Sequence, residues 1–273
     1  MPELPEVETV RSGLEPALLG RVFASVDIRD ARLTRPYEPA EVAAEIEGER
    51  VAAVARRGKY LVVRFESGLV LLAHLRMTGS FVHARNGATA DAYTRAVVRL
   101  DDGSDITYRD VRRFGTWFVL RDDELDPYLT ARIGAEPLDS AFSVTKLAKR
   151  LEGRRAPIKA ALLDQRTLAG MGNIYADEAL WRAKIDPRRP AGDLDPGEVR
   201  ALHRGIRDAL RAGIARQGAT LRDYRTPEGE SGAMQQEFKV YGRGGEPCRR
   251  CRTPIEKTRL GGRGTSFCPN CQR

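Results

Sequence analysis

All four cysteines of this 273-residue chain fall near its C-terminus, as Cys248-x2-Cys251-x16-Cys268-x2-Cys271. Two close pairs of thiols joined by a hairpin-length spacer are the pattern of a four-thiolate zinc ribbon. The alternative is a pair of disulfides. Nothing at the N-terminus resembles a secretion signal, so a reducing cytosol and one structural Zn²⁺ are the expectation.

The surrounding charge points to a partner. The chain carries a net charge of +8, with 41% hydrophobic and 31% charged residues. From Tyr241 onward, eight Lys/Arg (Arg243, Arg249, Arg250, Arg252, Lys257, Arg259, Arg263, Arg273) face only Glu246 and Glu256. Positive charge gathered on a small metal-stapled module favours nucleic-acid phosphate, the alternative being a solvated basic tail. No apolar run approaches the ~20 residues that span a bilayer, so no membrane partner is expected.

The organisation reads as three parts. Residues 3–19 form a helix, with Val7, Val10, Leu14 and Leu18 at helical spacing, Gly20 after it and Pro16 as a kink or second start. Short β-rich runs follow: Val22–Ile28, Val51–Ala55, Tyr60–Phe65, Leu69–Ala73, Ala96–Leu100, Ile106–Tyr108 and Thr116–Leu120. Turn signals such as Ser67-Gly68 and Asp101-Asp102-Gly103 separate them, which predicts an antiparallel sandwich or barrel. Arg121–Ser140 reads as a linker. Helical periodicity then predicts Thr145–Leu151, Ile158–Leu163, Ile174–Ala183 and Pro196–Arg216, the last weakened by Gly205 and Gly213. Thr226–Met234 reads as a polar loop with freedom to move.

The first residues, Met1-Pro2-Glu3-Leu4-Pro5-Glu6, carry a chemical signal of their own. Removal of the initiator methionine leaves Pro2 as a free secondary amine. An α-amino group titrates at ~7.7–8.0, against ~10.4 for lysine, so far more of it is neutral and nucleophilic at pH 7. Condensation of a secondary amine with a sugar aldehyde gives an iminium that cannot lose its charge. That electron sink acidifies the neighbouring carbon and permits elimination of a phosphate, with Glu3 and Glu6 near enough in sequence to move protons. The other reading is plain: acidic residues in a first helical turn complement the helix dipole.

Six segments in order resolve this ambiguity. They are MPELPEVETVR, RRGKYL (Arg56–Leu61), HLRMTG (His74–Gly79), DVRRFG (Asp110–Gly115), LLDQRTLAGMGNIYADEAL (Leu162–Leu180) and VYGRGGEPCRRC (Val240–Cys251). Together they resemble the bacterial formamidopyrimidine-DNA glycosylases, which remove oxidised purines from DNA, along essentially the whole chain. The resemblance implies an α+β multi-domain fold. It comprises an N-terminal β-sandwich begun by the catalytic helix (1–125), a helix–two-turn–helix domain (140–235) and a C-terminal β-hairpin zinc ribbon (236–273).

It also implies roles. Pro2 is then the nucleophile, Glu3 the general acid in base removal, Lys59 the proton donor of β-elimination and Arg263 that of δ-elimination. Glu6 matches an acidic position near the site. The sugar carbon is shielded in a duplex, so the target nucleotide must leave the stack, and something must fill the vacancy. Met77, Arg112 and Phe114 match the filling residues; read without the family, Met77 and Phe114 are core candidates. Gly170-Met171-Gly172-Asn173 lies at a helix start, where backbone N–H groups can approach phosphate. His74, Arg155, Lys159, Asn173 and Tyr241 match positions that face the DNA backbone. Such contacts carry no sequence information, so binding should be salt-sensitive and largely sequence-independent.

The chain also departs from the pattern. Arg76 stands where the family usually has glycine, and it either adds a phosphate contact or moves the wedge. Tyr93 stands at a DNA-side position where histidine is common. The 228–236 loop has Ala233-Met234 where aromatic residues are frequent, leaving lesion preference open. Two other readings stay in play: an endonuclease VIII-type enzyme for oxidised pyrimidines, and a non-catalytic zinc-ribbon binder of damaged duplex. The expected partner is duplex DNA containing oxidised bases or abasic sites. A cytoplasmic, nucleoid-associated monomer is the expected state.

Overall fold

A helix lying on two antiparallel sheets opens the chain. The computed structural model describes residues 1–85, 87 and 90–273. Its residues fall into two compact units, 1–131 with 216–233, and 132–215 with 234–273.

In the first unit, α1 (Leu4–Leu18) precedes β1 (Phe23–Ile28), α2 (Pro39–Ile46), β2 (Val51–Arg57), β3 (Tyr60–Phe65) and β4 (Leu69–His74). There follow β5 (Ser80–Ala84), β6 (Thr94–Leu100), β7 (Asp105–Arg109), β8 (Thr116–Arg121) and α3 (Asp122–Thr130). One sheet has the order β1-β6-β7-β5 and the other β2-β3-β4-β8, all antiparallel. Val7, Val10, Leu14 and Leu18 of α1 enter one core with Leu61 and Leu71 of one sheet and Phe81, Val98 and Tyr108 of the other. This is the expected sandwich. Pro16 does not break α1: Pro16 and Ser12 are exposed, so the carbonyl left without a donor meets water.

Two helices went unread in the sequence, α2 and α3. The second occupies the first half of the expected linker; Asp122, Asp123 and Glu124 fill its first turn and it packs on β4 and β8. That cover explains why β4 is apolar on both faces rather than alternating.

The segment 216–233, read as part of the helical domain, belongs instead to this first unit. Ala219 and Ala233 form an antiparallel bridge, and the Ala233 N–H donates to the Arg216 carbonyl at 2.8 Å. The polar loop within it is tied down: the Thr226 N–H donates to the Glu230 carbonyl at 2.9 Å and the His83 N–H to the Pro227 carbonyl at 3.0 Å.

The second unit contains α4 (Val144–Leu151), α5 (Ile158–Leu163), α6 (Asn173–Ala183) and α7 (Pro196–Ala215), then a hairpin of β9 (Glu256–Leu260) and β10 (Arg263–Phe267). The glycines that weakened the α7 expectation mark where α6 presses closest. A Cβ at Gly205 would sit 2.7 Å from the Ala179 carbonyl oxygen, and one at Gly213 would sit 2.5 Å from the Tyr175 ring. The helix survives its glycines because packing outweighs propensity.

Candidate active site and nucleic-acid interface

Start at the head of the first unit. Proline in the first helical turn pre-sets the entry of α1, and the Glu3 N–H donates to Glu6 Oε2 at 2.8 Å. Pro2, Glu3 and Glu6 are all buried. Burial holds the α-ammonium at the head of the chain below its ordinary value; Glu3 and Glu6 oppose the shift, Lys59 adds to it and Asp223 opposes it. The charges that act on the terminus are therefore those the sequence singled out, with Asp223 in addition.

Lys59 arrives from the tight turn between β2 and β3. Arg56 Nε donates to Glu8 of α1 at 2.9 Å, and Arg56 Nη1 donates to the Gly58 carbonyl at 3.0 Å. The turn is thereby fastened to the helix that bears the terminus. Lys59 is 5% exposed, unlike an ordinary surface lysine.

Glu6, grouped with the catalytic residues from sequence, is held on both oxygens: besides the Glu3 N–H on Oε2, Oε1 accepts the Ala219 N–H at 2.8 Å. With both oxygens taking main-chain donors, Glu6 fastens the start of α1 to the 217–219 turn.

The three expected filling residues lie on two adjacent loops. Met77 is half-buried; Arg112 and Phe114 are exposed, the Arg112 guanidinium 4.7 Å from the centre of the Phe114 ring. Phe114 is therefore no core residue, at 52% exposed. Both motifs end in glycine for one reason. A Cβ at Gly79 or Gly115 would lie 2.2 Å or 1.8 Å from the Tyr108 hydroxyl oxygen, so the loops can close over that ring only without side chains there. Tyr93 is exposed, and its carbonyl accepts the Asp110 N–H at 3.0 Å, which sets it beside the same loop. His74 closes β4 with its ring edge-on to Tyr60 at 4.7 Å. Its Nδ1 accepts the Arg76 N–H at 3.0 Å, which leaves the proton on Nε2. Burial, aided by the charges of Arg76 and Lys59, pushes His74 down to about 3, so its ring is neutral.

In the second unit, Arg155 is exposed after α4, and Tyr241 is half-buried with its ring edge-on to Phe238 at 5.3 Å. Gly172 caps α6, and Asn173 Nδ2 donates to the Gly264 carbonyl at 3.0 Å. Lys159 needs a correction. Expected to face phosphate, it is fully buried: Nζ lies 2.7 Å from Asp177 Oδ1 and donates to the Gly264 carbonyl and Thr265 Oγ1, each at 2.8 Å. It anchors β10 to α5 and α6. Burial raises the Asp177 carboxyl against the pull of Lys159. Arg263 follows the Gly261-Gly262 turn, both at positive φ as a two-residue hairpin demands, and is exposed. The pinned Gly264 carbonyl fixes where that hairpin tip stands.

The four cysteine sulfurs all lie within 4.8 Å of one another. A tetrahedral ion with Zn–S of ~2.3 Å requires sulfurs about 3.8 Å apart, so the cluster fits zinc. Cys251 and Cys268 are 3.4 Å apart, far beyond the ~2.05 Å of a disulfide. Cys248 and Cys268 are buried with Trp181, Val240 and Ile255. The ribbon also completes the end of α6. Arg250 lies 3.6 Å over the Trp181 ring and donates to the Trp181 carbonyl at 2.6 Å, while Gln272 Nε2 donates to the Ile185 carbonyl at 2.9 Å.

Comparison with known proteins agrees with this geometry throughout. Residues 1–117 match the formamidopyrimidine-DNA glycosylase N-terminal domain, 133–225 the H2TH domain of the same enzymes, and 245–273 the zinc finger found in FPG and IleRS. The formamidopyrimidine-DNA glycosylase of Roseiflexus sp. is 45% identical over the whole of both chains. The chain belongs to the formamidopyrimidine-DNA glycosylase family. The Thermus thermophilus family member superposes with a TM-score of 0.88 at 44% identity, covering 99% of this chain and 98% of that one. A Lactococcus lactis mutant, solved in complex with a Fapy-dG containing DNA, superposes at 0.93 with 38% identity over the full length of both.

Within this glycosylase framework, sequence reading missed the residues that hold the others. Asp110 is buried and accepts from the Thr78 hydroxyl and from the N–H groups of Arg112 (3.2 Å), Phe114 (2.9 Å) and Gly115 (2.7 Å). One carboxylate thus clamps both filling loops. Glu178 Oε1 accepts the successive N–H groups of Lys239, Val240 and Tyr241 at 2.8, 3.0 and 3.1 Å, which orients Tyr241. The signal for each was an acidic residue inside a recognised motif with no assigned task.

Proposed function

We propose that the chain is a bifunctional base-excision-repair enzyme, a DNA glycosylase and abasic-site lyase for oxidised purines, 8-oxoguanine and formamidopyrimidines, in duplex DNA. The observation that carries the reading is the burial of Pro2 and Glu3 at the head of α1 and of Lys59, with Glu3 and Lys59 among the charges that act on the Met1 amine beside them.

With Met1 removed, the Pro2 nitrogen attacks the sugar C1′, the C1′–base bond breaks, and the proton shed by the nitrogen goes to the departing base. Glu3 delivers a proton that lets the sugar ring open, and the nitrogen lone pair forms the C1′ iminium. Loss of a C2′ proton then feeds electrons into the iminium and expels the 3′ phosphate, Lys59 serving that proton transfer. Arg263 serves the second elimination, which releases the 5′ phosphate; water then hydrolyses the iminium and frees Pro2. Desolvation favours the neutral amine that attacks, so the burial of Pro2 aids the first step. Met77, Arg112 and Phe114 occupy the space the extruded nucleotide leaves, and Arg155, Asn173, Tyr241 and the neutral His74 hold phosphates. Zinc, when bound, supplies a rigid fold to the ribbon and no step of the reaction.

Borohydride reduction of the enzyme on an 8-oxoguanine duplex tests this. A stable adduct whose cross-linked peptide begins at Pro2 is expected. Full activity from a chain that retains Met1 would refute the chemistry. Faster turnover of thymine glycol than of 8-oxoguanine would reassign the substrate to oxidised pyrimidines, and binding without any adduct would leave only a damaged-duplex binder.

A further inference from the structure

We propose that Arg76 binds a phosphate of the duplex beside the Met77 wedge; this rests on the DNA-repair reading above. The argument begins with backbone strain. Arg76 has φ of 53°, in the left-handed region that a residue with a Cβ enters at a cost. Such strain persists where surroundings over-determine it, and it gathers at working sites. Here the backbone is held from one side: the Arg76 N–H donates to His74 Nδ1 at 3.0 Å.

A second arginine provides an internal control. Arg113, on the neighbouring loop, also has positive φ, at 59°. Its guanidinium is consumed in a two-pronged pair with Asp30, Nη2 to Oδ1 at 2.8 Å, and that pair holds Asp30 below the usual carboxylate range. The strain at Arg113 therefore serves the fold. Arg76 has no such pair: its side chain is exposed and makes no ion pair or hydrogen bond among the described residues.

The charges around it complete the case. Arg76 acts on His74 in the same direction as Lys59, and on the buried Tyr108 against Asp110. Asp110 is already occupied by the Thr78 hydroxyl and three N–H groups. Arg76 thus lies near a neutral histidine donor, next to Met77, and among the described residues pairs with no carboxylate. A planar guanidinium so placed matches the two free oxygens of a phosphodiester.

The experiment uses the full chain with Arg76→Gly, Arg76→Asn and Arg76→Lys. Binding to a duplex carrying a tetrahydrofuran abasic analogue, and to the undamaged duplex, is measured from 50 to 200 mM salt. One lost phosphate contact lowers the slope of log K against log[salt] by about 0.9, so the parent should lose about 3.5-fold more affinity over that range than the Gly and Asn variants. The Lys variant should keep the parental slope. Glycine and asparagine both tolerate this backbone, so neither should melt below the parent. Parental slopes in the Gly and Asn variants would overturn the proposal, as would melting several degrees lower, which would make Arg76 a structural residue. Failure of the glycosylase reading looks different: the parent would then bind with the same slope yet give no adduct on borohydride reduction.

Discussion

His74 shows how a single side chain couples stability to pH. Folded, it is held down to about 3 by burial, with Arg76 and Lys59 acting in the same direction. Unfolded, it titrates near ~6.5. Between those values the unfolded chain takes up a proton that the folded chain refuses. Stability from the neutral ring is therefore complete above ~6.5 and falls as the pH drops, by at most about 1.4 kcal/mol per pH unit. Most carboxylates join below ~5; Asp177, raised to about 7 by burial, titrates between ~6.5 and ~5 with the opposite sign in parent and variant alike, so the difference between the two proteins isolates the histidine. Urea midpoints of the parent should fall progressively relative to those of His74→Gln as the pH drops across that window, from a constant offset for lost packing against Tyr60. Parallel curves for the two proteins would show that His74 is not the group responsible.

The filling loops make the corresponding argument for elements. Asp110 joins HLRMTG to DVRRFG through the Thr78 hydroxyl and three backbone donors. Asp110→Asn keeps the shape but turns a charged acceptor into an amide with one oxygen. Hydrogen bonds to charged groups contribute about 1.5–3 kcal/mol, so a loss of that order in unfolding free energy is expected. Binding to lesion duplex should weaken with it, because Met77, Arg112 and Phe114 lose their shared anchor. Unchanged stability would mean the carboxylate is dispensable. This clamp also marks the limit of what the chain discloses when read in order. The strands of the sandwich except β5, and the helices α4 to α7, were legible from their runs of residues and turn signals, because each carries its apolar pattern along its own length. Asp110 and Thr78 are thirty-two residues apart, and their meeting depends on which strands become neighbours. Lys159 misled for the same reason. A lysine that matches a backbone-facing position of the family reads as a phosphate contact until Asp177 and the β10 backbone are seen around it. By contrast, the cysteine spacing stated its own geometry, since four thiolates need only one ion to agree.

For the whole molecule, the question is how far the loss of zinc travels. The ribbon shares a compact unit with α4 to α7, whereas α1 and both sheets belong to the other. Within its unit the ribbon closes the end of α6, through Arg250 on Trp181, Gln272 on Ile185 and the Arg273 N–H on the Lys184 carbonyl at 3.1 Å. Cys268→Ser removes one of four thiolates, and a structural site missing a ligand is no longer closed. Zinc content should fall well below one per chain. Amide exchange should then accelerate first in β9 and β10, and next in the last turn of α6, which loses the donors on its orphan carbonyls. Lys159 and Asp177 should feel the change too, because Gly264 and Thr265 of β10 complete their polar shell. Exchange in α1, β3 and β4 should stay at the parental rate, since among the described residues their core cluster contains no residue of the ribbon. DNA affinity should drop through displacement of Arg263, while the charge environment of the terminus, set by Glu3, Glu6, Lys59 and Asp223, is retained. Equal acceleration in the sandwich and the ribbon would contradict this, and would mean that zinc supports the chain as one cooperative body.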